Sequence, residues 1–166
     1  METISLLVVD DEPGIRSGIQ RILSRHIVSF PFMDEDYSFE VSEASTGEEA
    51  LAILEKEAPD ILLLDNKLPG MDGMEVLEII RSRNMDIMVA MITSYASLEI
   101  AARATDDGAR DFIPKPFAPE HLRIATIANI DTALDAVGTD TQREDHKQYT
   151  KRRRVEWRDR NEGNAG

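Results

Sequence analysis

Three short, continuous apolar runs punctuate the chain: Ser5–Val9 (SLLVV), Ile61–Leu64 (ILLL) and Ile87–Ile92 (IMVAMI). Runs this short, aliphatic and free of alternation suit strands covered on both faces of a parallel sheet. Phe39–Ala44 (FEVSEA) and Asp111–Ile113 (DFI) predict two further strands. Between these runs the spacing becomes helical. Ile15, Ile19, Ile22 and Leu23 recur one turn apart behind Pro13, a residue suited to a first turn. Leu51 and Leu54 share one side of 48–57, and Leu77 and Ile80 one side of 74–83. The alanine-rich segment 97–107 ends at Gly108, a predicted C-cap, and 119–137 is the last predicted helix. Strand and helix thus alternate five times, the pattern of a doubly wound, five-stranded parallel sheet with helices on both faces. Residues 28–38 (VSFPFMDEDYS) break the rhythm. A proline, three aromatics and three consecutive acids predict a long loop there, pinned to the body by Phe30, Phe32 and Tyr37.

Charge divides the chain. The formal net charge is −13 over 166 residues. Residues 1–138 carry 26 acidic and 11 basic side chains, and residues 139–166 carry 6 acidic and 8 basic. This shift predicts a main body over 1–138 and a charged C-terminal tail or helical extension over 139–166, not a separate domain. The acidic body should repel nucleic acid and attract cations. Lys151-Arg152-Arg153-Arg154 is interrupted downstream by Glu156, Asp159 and Glu162, so a solvated helix or tail is expected in place of a nucleic-acid site. Hydrophobic residues make up 42% of the chain, enough for a core. The absence of cysteine excludes disulfides, thiolate catalysis and thiolate metal sites. No apolar run is long enough to span a membrane or serve as a signal peptide, and a cytoplasmic location is expected. His26, His121 and His146 are scattered, without metal-ligand spacing.

Ligands of open α/β sheets bind beyond the carboxyl ends of the strands. Asp10-Asp11 follow the first predicted strand, Asp65 the third, Thr93 the fourth and Lys115 the fifth. Three close carboxylates repel one another, and a hard divalent cation such as Mg²⁺, which keeps several waters, would relieve that repulsion. A carboxylate can also act as a nucleophile and form an acyl-phosphate. A metal, a lysine and a hydroxyl can together stabilise charge on a phosphoryl group in transfer.

The motifs LLVVDDEPGIR, LLLDNKLPGMDG, MITSYAS and DFIPKPF, in this order and at these spacings, resemble the response-regulator receiver family of two-component signalling, over about Ile4 to Val137. The resemblance implies a flavodoxin-like (βα)5 fold with strand order 2-1-3-4-5. It implies that Asp65 is the phosphoacceptor, with Thr93 and Lys115 holding phosphoryl oxygens. Mg²⁺ would be held by Asp10, Asp11, Asp65 and the backbone carbonyl of Lys67. The Lys115-Pro116 bond would be cis, and Thr93 and Phe112 would form the switch pair; Phe112 lacks a hydroxyl, so the switch would work by ring packing. The donor would be a histidine kinase or phosphotransfer protein.

Two other readings compete. An aspartate-based phosphatase acting on small molecules needs a second aspartate two residues past the nucleophile, and that position is Lys67. A pseudo-receiver that never turns over phosphate is disfavoured by the complete set of Asp10, Asp11, Asp65, Thr93 and Lys115. The expected chemistry is therefore self-phosphorylation and self-dephosphorylation, without activity on a separate substrate. In the last predicted helix, Leu122, Ile124, Ile127, Ile130, Ala133, Leu134 and Val137 cover an arc of about 200°, wider than one core-facing stripe needs. That excess points to the surface of the fourth helix, fifth strand and fifth helix as the contact for a downstream protein or a second copy. The 28 residues after Gly138 are too few for a typical effector domain, so output is expected through protein contacts unless the chain belongs to something longer.

Overall fold

The computed structural model describes residues 2–29, 36–85, 87–94, 106, 108–109, 111–120, 122–123 and 126. The tail 139–166, Phe30, Phe32, nearly all of the predicted helix 97–107 and most of 119–137 lie outside the described residues. The elements run β1 (Glu2–Val9), α1 (Pro13–Ser24), β2 (Val28–Ser29), β3 (Asp36–Ala44), α2 (Gly47–Lys56), β4 (Ile61–Asp65), α3 (Gly73–Ser82), β5 (Met88–Thr93) and β6 (Asp111–Pro114). They form a six-stranded sheet ordered β2-β3-β1-β4-β5-β6.

Burial on both faces explains the continuous apolar runs. Successive strand residues point to opposite faces, so each run divides into two sets. Ile4, Leu6 and Val8 of β1, Ile61 and Leu63 of β4, and Ala90 and Ile92 of β5 pack with Ile19 and Leu23 of α1. Leu7 and Val9, Leu62 and Leu64, and Val89 and Met91 pack on the other face with Leu54 of α2 and Val76, Leu77 and Ile80 of α3. Leu122 is fully buried in the first cluster, where residues 119–120, 122–123 and 126 are helical.

The five parallel strands stand in the expected order, and two features differ from expectation. The segment 28–38 is not wholly a loop. Val28 and Ser29 form an antiparallel edge strand against Tyr37 and Asp36, which makes the sheet six-stranded in place of five. Val28 and Tyr37 are buried, so the hairpin adds to the core on the α1 face. The strands β1 and β3 are also longer than their apolar runs, pairing from Glu2↔Tyr37 to Val9↔Ala44. Along β3 covered and exposed positions alternate over much of its length, and a rule based on continuous apolarity misses such a strand end.

Helices α2 and α3 begin where side chains satisfy their first N–H groups, whereas α1 has no side-chain cap and starts at Pro13. Thr46 Oγ1 accepts from Glu49 N–H at 3.1 Å and Asp72 Oδ1 from Glu75 N–H at 2.9 Å. Each such cap is worth about 1 kcal/mol. The α3 start is crowded: a Cβ on Gly73 would run into the carbonyl oxygen of Asp65 and sit 2.9 Å from Asn66 Cα. On Gly18, in the middle of α1, a Cβ would meet nothing within 4 Å.

Two substitutions should therefore shift stability in opposite directions. Gly73→Ala should cost about 1–3 kcal/mol by overpacking. Gly18→Ala should gain about 0.5–1 kcal/mol from reduced backbone freedom of the unfolded chain and better helix propensity. Urea unfolding monitored by circular dichroism reads both, and a neutral Gly73→Ala would contradict the close approach of α3 to β4.

Candidate functional site

Parallel strands deliver their carboxyl ends to one edge of the sheet. Val9 pairs with Leu64, Asp65 with Ile92 and Thr93 with Pro114. Asp10, just past β1, and Asp65, at the end of β4, therefore become neighbours, and Lys115 enters immediately after β6.

Asp10 is fully buried and is held at each of its polar atoms. Its N–H donates to Ala44 O at 3.1 Å. Its carbonyl accepts from Arg16 Nη1 at 2.6 Å, and its Oδ1 accepts from Glu12 N–H at 2.9 Å. Its Oδ2 lies 2.6 Å from Lys115 Nζ. That last contact is an ion pair with poor angular geometry, since Oδ2 has no aligned hydrogen-bond donor among the described residues. Asp65 is 3% exposed. Its Oδ1 accepts from Lys67 N–H at 3.2 Å and its Oδ2 from Lys115 Nζ at 3.4 Å. The Lys115 ammonium therefore lies between two buried carboxylates, with Glu12 Oε1 at 3.8 Å on its outer side.

Burial pushes the Asp65 carboxyl above the usual carboxylate range, and the negative charge of Asp10 adds to the effect. The Lys115 charge and the Lys67 N–H oppose it without cancelling it. For Lys115, burial disfavours the ammonium, but the close contact with Asp10 and the charges of Asp65 and Asp10 prevail and hold it above the ordinary lysine value.

The loop after Asp65 is tied on several sides. Asn66 N–H donates to Ile92 O at 3.2 Å, and Gly73 N–H to Asn66 O at 3.0 Å. Glu48 Oε1 of α2 accepts from Met71 N–H at 3.1 Å, and Gly70 takes a φ of 72°, a conformation that favours glycine. The Lys115-Pro116 bond is cis. Phe112 of β6 is half-buried against the α2/α3-side core. Thr93 ends β5 in register with Pro114, and its side chain lies outside the described part of the structure.

Asp10, Asp11 and Glu12 each offer a carboxylate oxygen within 4.8 Å of the others. Together with the buried Asp10 Oδ2 that lacks an aligned donor, this all-oxygen set fits a hard divalent cation. Asp65 is not one of these three; Lys115 links it to Asp10. Sequence reasoning assigned no role to Glu12 or Arg16, although both stand in the DDEPGIR motif. The signal for Arg16 was its place one helical turn into α1, close to where the acidic pair leaves β1.

Charge balance at Asp65 yields a pH-dependent expectation. A carboxyl whose folded pKa is raised costs stability when ionised. The cost is fully present above the folded pKa and vanishes as pH falls through it toward the ordinary carboxylate value. In metal-free buffer at neutral pH, Asp65→Asn should therefore melt at a higher temperature than the parent. The gap should close on acidification through that window. An equal or lower melting temperature for Asp65→Asn at neutral pH would mean that attraction to Lys115 outweighs burial and repulsion.

Known proteins resemble this chain in sequence and in fold. Residues 6–127 match the family described as the response regulator receiver domain. The chain is 34% identical over 137 residues to the response regulator MprA of Mycolicibacterium vanbaalenii, covering 81% of this chain and 54% of that protein. It is 32% identical over 120 residues to sporulation initiation phosphotransferase F of Bacillus subtilis, covering 72% and 88% respectively. The crystal structure of a CheY-like response regulator receiver domain protein from Methanospirillum hungatei is similar with a TM-score of 0.67 and 32% identity, covering 79% of this chain and 96% of that one. Chemotaxis protein CheY4 of Vibrio cholerae is similar with a TM-score of 0.66 and 27% identity, covering 76% and 98%. The chain spans about half the length of the MprA regulators it matches. With its matching motifs, fold and relatives, this chain belongs to the response regulator receiver domain family.

Proposed function

We propose that Asp65 accepts a phosphoryl group, from a histidine kinase or a phosphotransfer protein, and that the gain of charge there alters a protein-binding surface. The observation that carries this reading is the Lys115 ammonium between the buried carboxylates of Asp10 and Asp65, 2.6 and 3.4 Å away. A carboxylate oxygen of Asp65 would form the new O–P bond as the donor's P–N bond breaks. Lys115 would pair with the phosphoryl oxygens as they arrive, and Thr93 would donate its hydroxyl to them. Asp10 and Asp11 would hold Mg²⁺, with Asp65 and the Lys67 carbonyl completing the protein ligands. When bound, the cation supplies neutralisation of the charge on the transferring group.

In this reading residues 1–138 form the receiver unit, and 139–166 form a charged contact segment. Thr93 and Phe112 couple Asp65 to the output face by a shift between two packings. That face is the surface of the fourth helix, the fifth parallel strand and the last helix. It meets a downstream protein or a second copy, and the acidic body makes no direct contact with nucleic acid. The chemistry is confined to the protein's own phosphorylation and dephosphorylation in the cytoplasm. Among the described residues no helix is long and apolar enough to cross a membrane.

Acetyl phosphate with MgCl2 should add one phosphoryl group to the full chain, and peptide mass spectrometry should place it on Asp65. Asp65→Asn should lose the label entirely; unchanged labelling in that variant would sink the assignment. Asp11→Ala should reduce labelling at fixed Mg²⁺ by roughly 10- to 100-fold, the scale of a lost metal-site contact, and labelling that stays at the parent rate would remove Asp11 from the metal set.

A further inference from the structure

We propose that Arg16 is a positioning residue for the acidic end of β1, and that its guanidinium holds Asp10–Glu12 in the arrangement a divalent cation requires. The inference rests on the metal-site reading given above. Arg16 lies in the first turns of α1, where the helix dipole disfavours a cation. Two contacts offset this. Nη1 donates to the Asp10 carbonyl at 2.6 Å, and Nε lies 3.4 Å from Glu43 Oε1. The Arg16 side chain is 17% exposed, against 35% for Glu43, so the fork is largely withdrawn from water.

The geometry points to a brace between three elements. Arg16 belongs to α1, Glu43 to the end of β3, and Asp10 follows β1. The neighbouring Ala44 carbonyl already accepts the Asp10 N–H at 3.1 Å, so consecutive residues of β3 secure Asp10, one directly and one through Arg16. With the N–H and carbonyl of Asp10 both fixed, Glu12 N–H can reach back to Asp10 Oδ1 at 2.9 Å. That bond turns Oδ2 toward Lys115 and the open side of the cluster. Without Arg16, the buried Asp10 carbonyl loses its side-chain partner, and the turn carrying three mutually repelling carboxylates is free to splay.

Charge and position make opposite demands, which makes the role testable. Removing a cation beside an acidic cluster strengthens the local attraction for Mg²⁺. Removing a brace weakens binding by spoiling ligand geometry, on the scale seen when outer partners of metal sites are lost. MgCl2 is titrated calorimetrically into the 166-residue chain, with metal-free melting temperatures measured alongside. Arg16→Gln is expected to raise the Mg²⁺ Kd by about tenfold. Arg16→Lys keeps the charge but not the planar fork, and its Kd should fall between the parent and Arg16→Gln. Equal or tighter binding in Arg16→Gln would overturn the inference, as would a lowered melting temperature with an unchanged Kd, the signature of a purely structural role. If Arg16→Gln does not fold, Arg16→Lys decides the matter, and parent-like affinity in that variant overturns the brace. A parent chain that binds no Mg²⁺ would instead bring down the metal-site reading itself, and the inference with it.

Discussion

The Lys115 ammonium, held between the buried carboxylates of Asp10 and Asp65, is the interaction on which the carboxyl edge of the sheet depends. Buried ions are costly unless paired, and removing one partner of such a pair typically costs about 3–5 kcal/mol, because the other is left uncompensated. Here one cation serves two anions. Burial, with the charge of Asp10 added to it, pushes Asp65 above the normal carboxylate range. The site is thus held together and at the same time left with an excess of negative charge, the condition in which an added cation is most welcome.

The double winding of the sheet forces this concentration of charge. Both faces of β1, β4 and β5 are consumed by two apolar clusters, so charged side chains on these strands can stand only at their ends. Parallel direction sends all the carboxyl ends to the same edge. The loops that leave this edge after β1 and β4 are then tied down. Glu48 bonds the Met71 N–H, Asn66 bonds both Ile92 and Gly73, and Arg16 bonds Asp10 and Glu43. A rigid scaffold holding polar groups in fixed orientation is what phosphoryl transfer asks of a protein, since most of the catalysis lies in positioning and charge stabilisation.

Membership of the receiver domain family accounts for the fold and for the cluster of motifs at one edge of the sheet. It leaves the output open, since the chain spans about half of the MprA regulators it matches but 88% of the phosphotransferase. The same receiver architecture thus serves relatives of very different total length.

Three of the five parallel strands, β1, β4 and β5, were legible in the sequence because they are covered on both faces and read as continuous apolar runs, whereas β3 and β6 showed only as shorter, mixed segments. Asp10, Asp65 and Lys115 were legible because they stand directly beyond those runs and segments, and strand direction alone then brings them to one edge. The antiparallel strand Val28–Ser29 was not legible: two residues are too few to show a period, and only pairing with Tyr37 and Asp36 makes them a strand. Glu12 and Arg16 were hidden for a different reason. A glutamate next to two aspartates and an arginine early in a helix are ordinary at solvent-facing positions, and their meaning comes from what lies across the gap. Only the packing of α1 against β1 and β3 brings the Arg16 guanidinium to the Asp10 carbonyl and Glu43, and only the turn after β1 brings Glu12 into the carboxylate cluster. Local pattern determines which residues end a strand; contacts between elements distant in sequence decide how those residues are held.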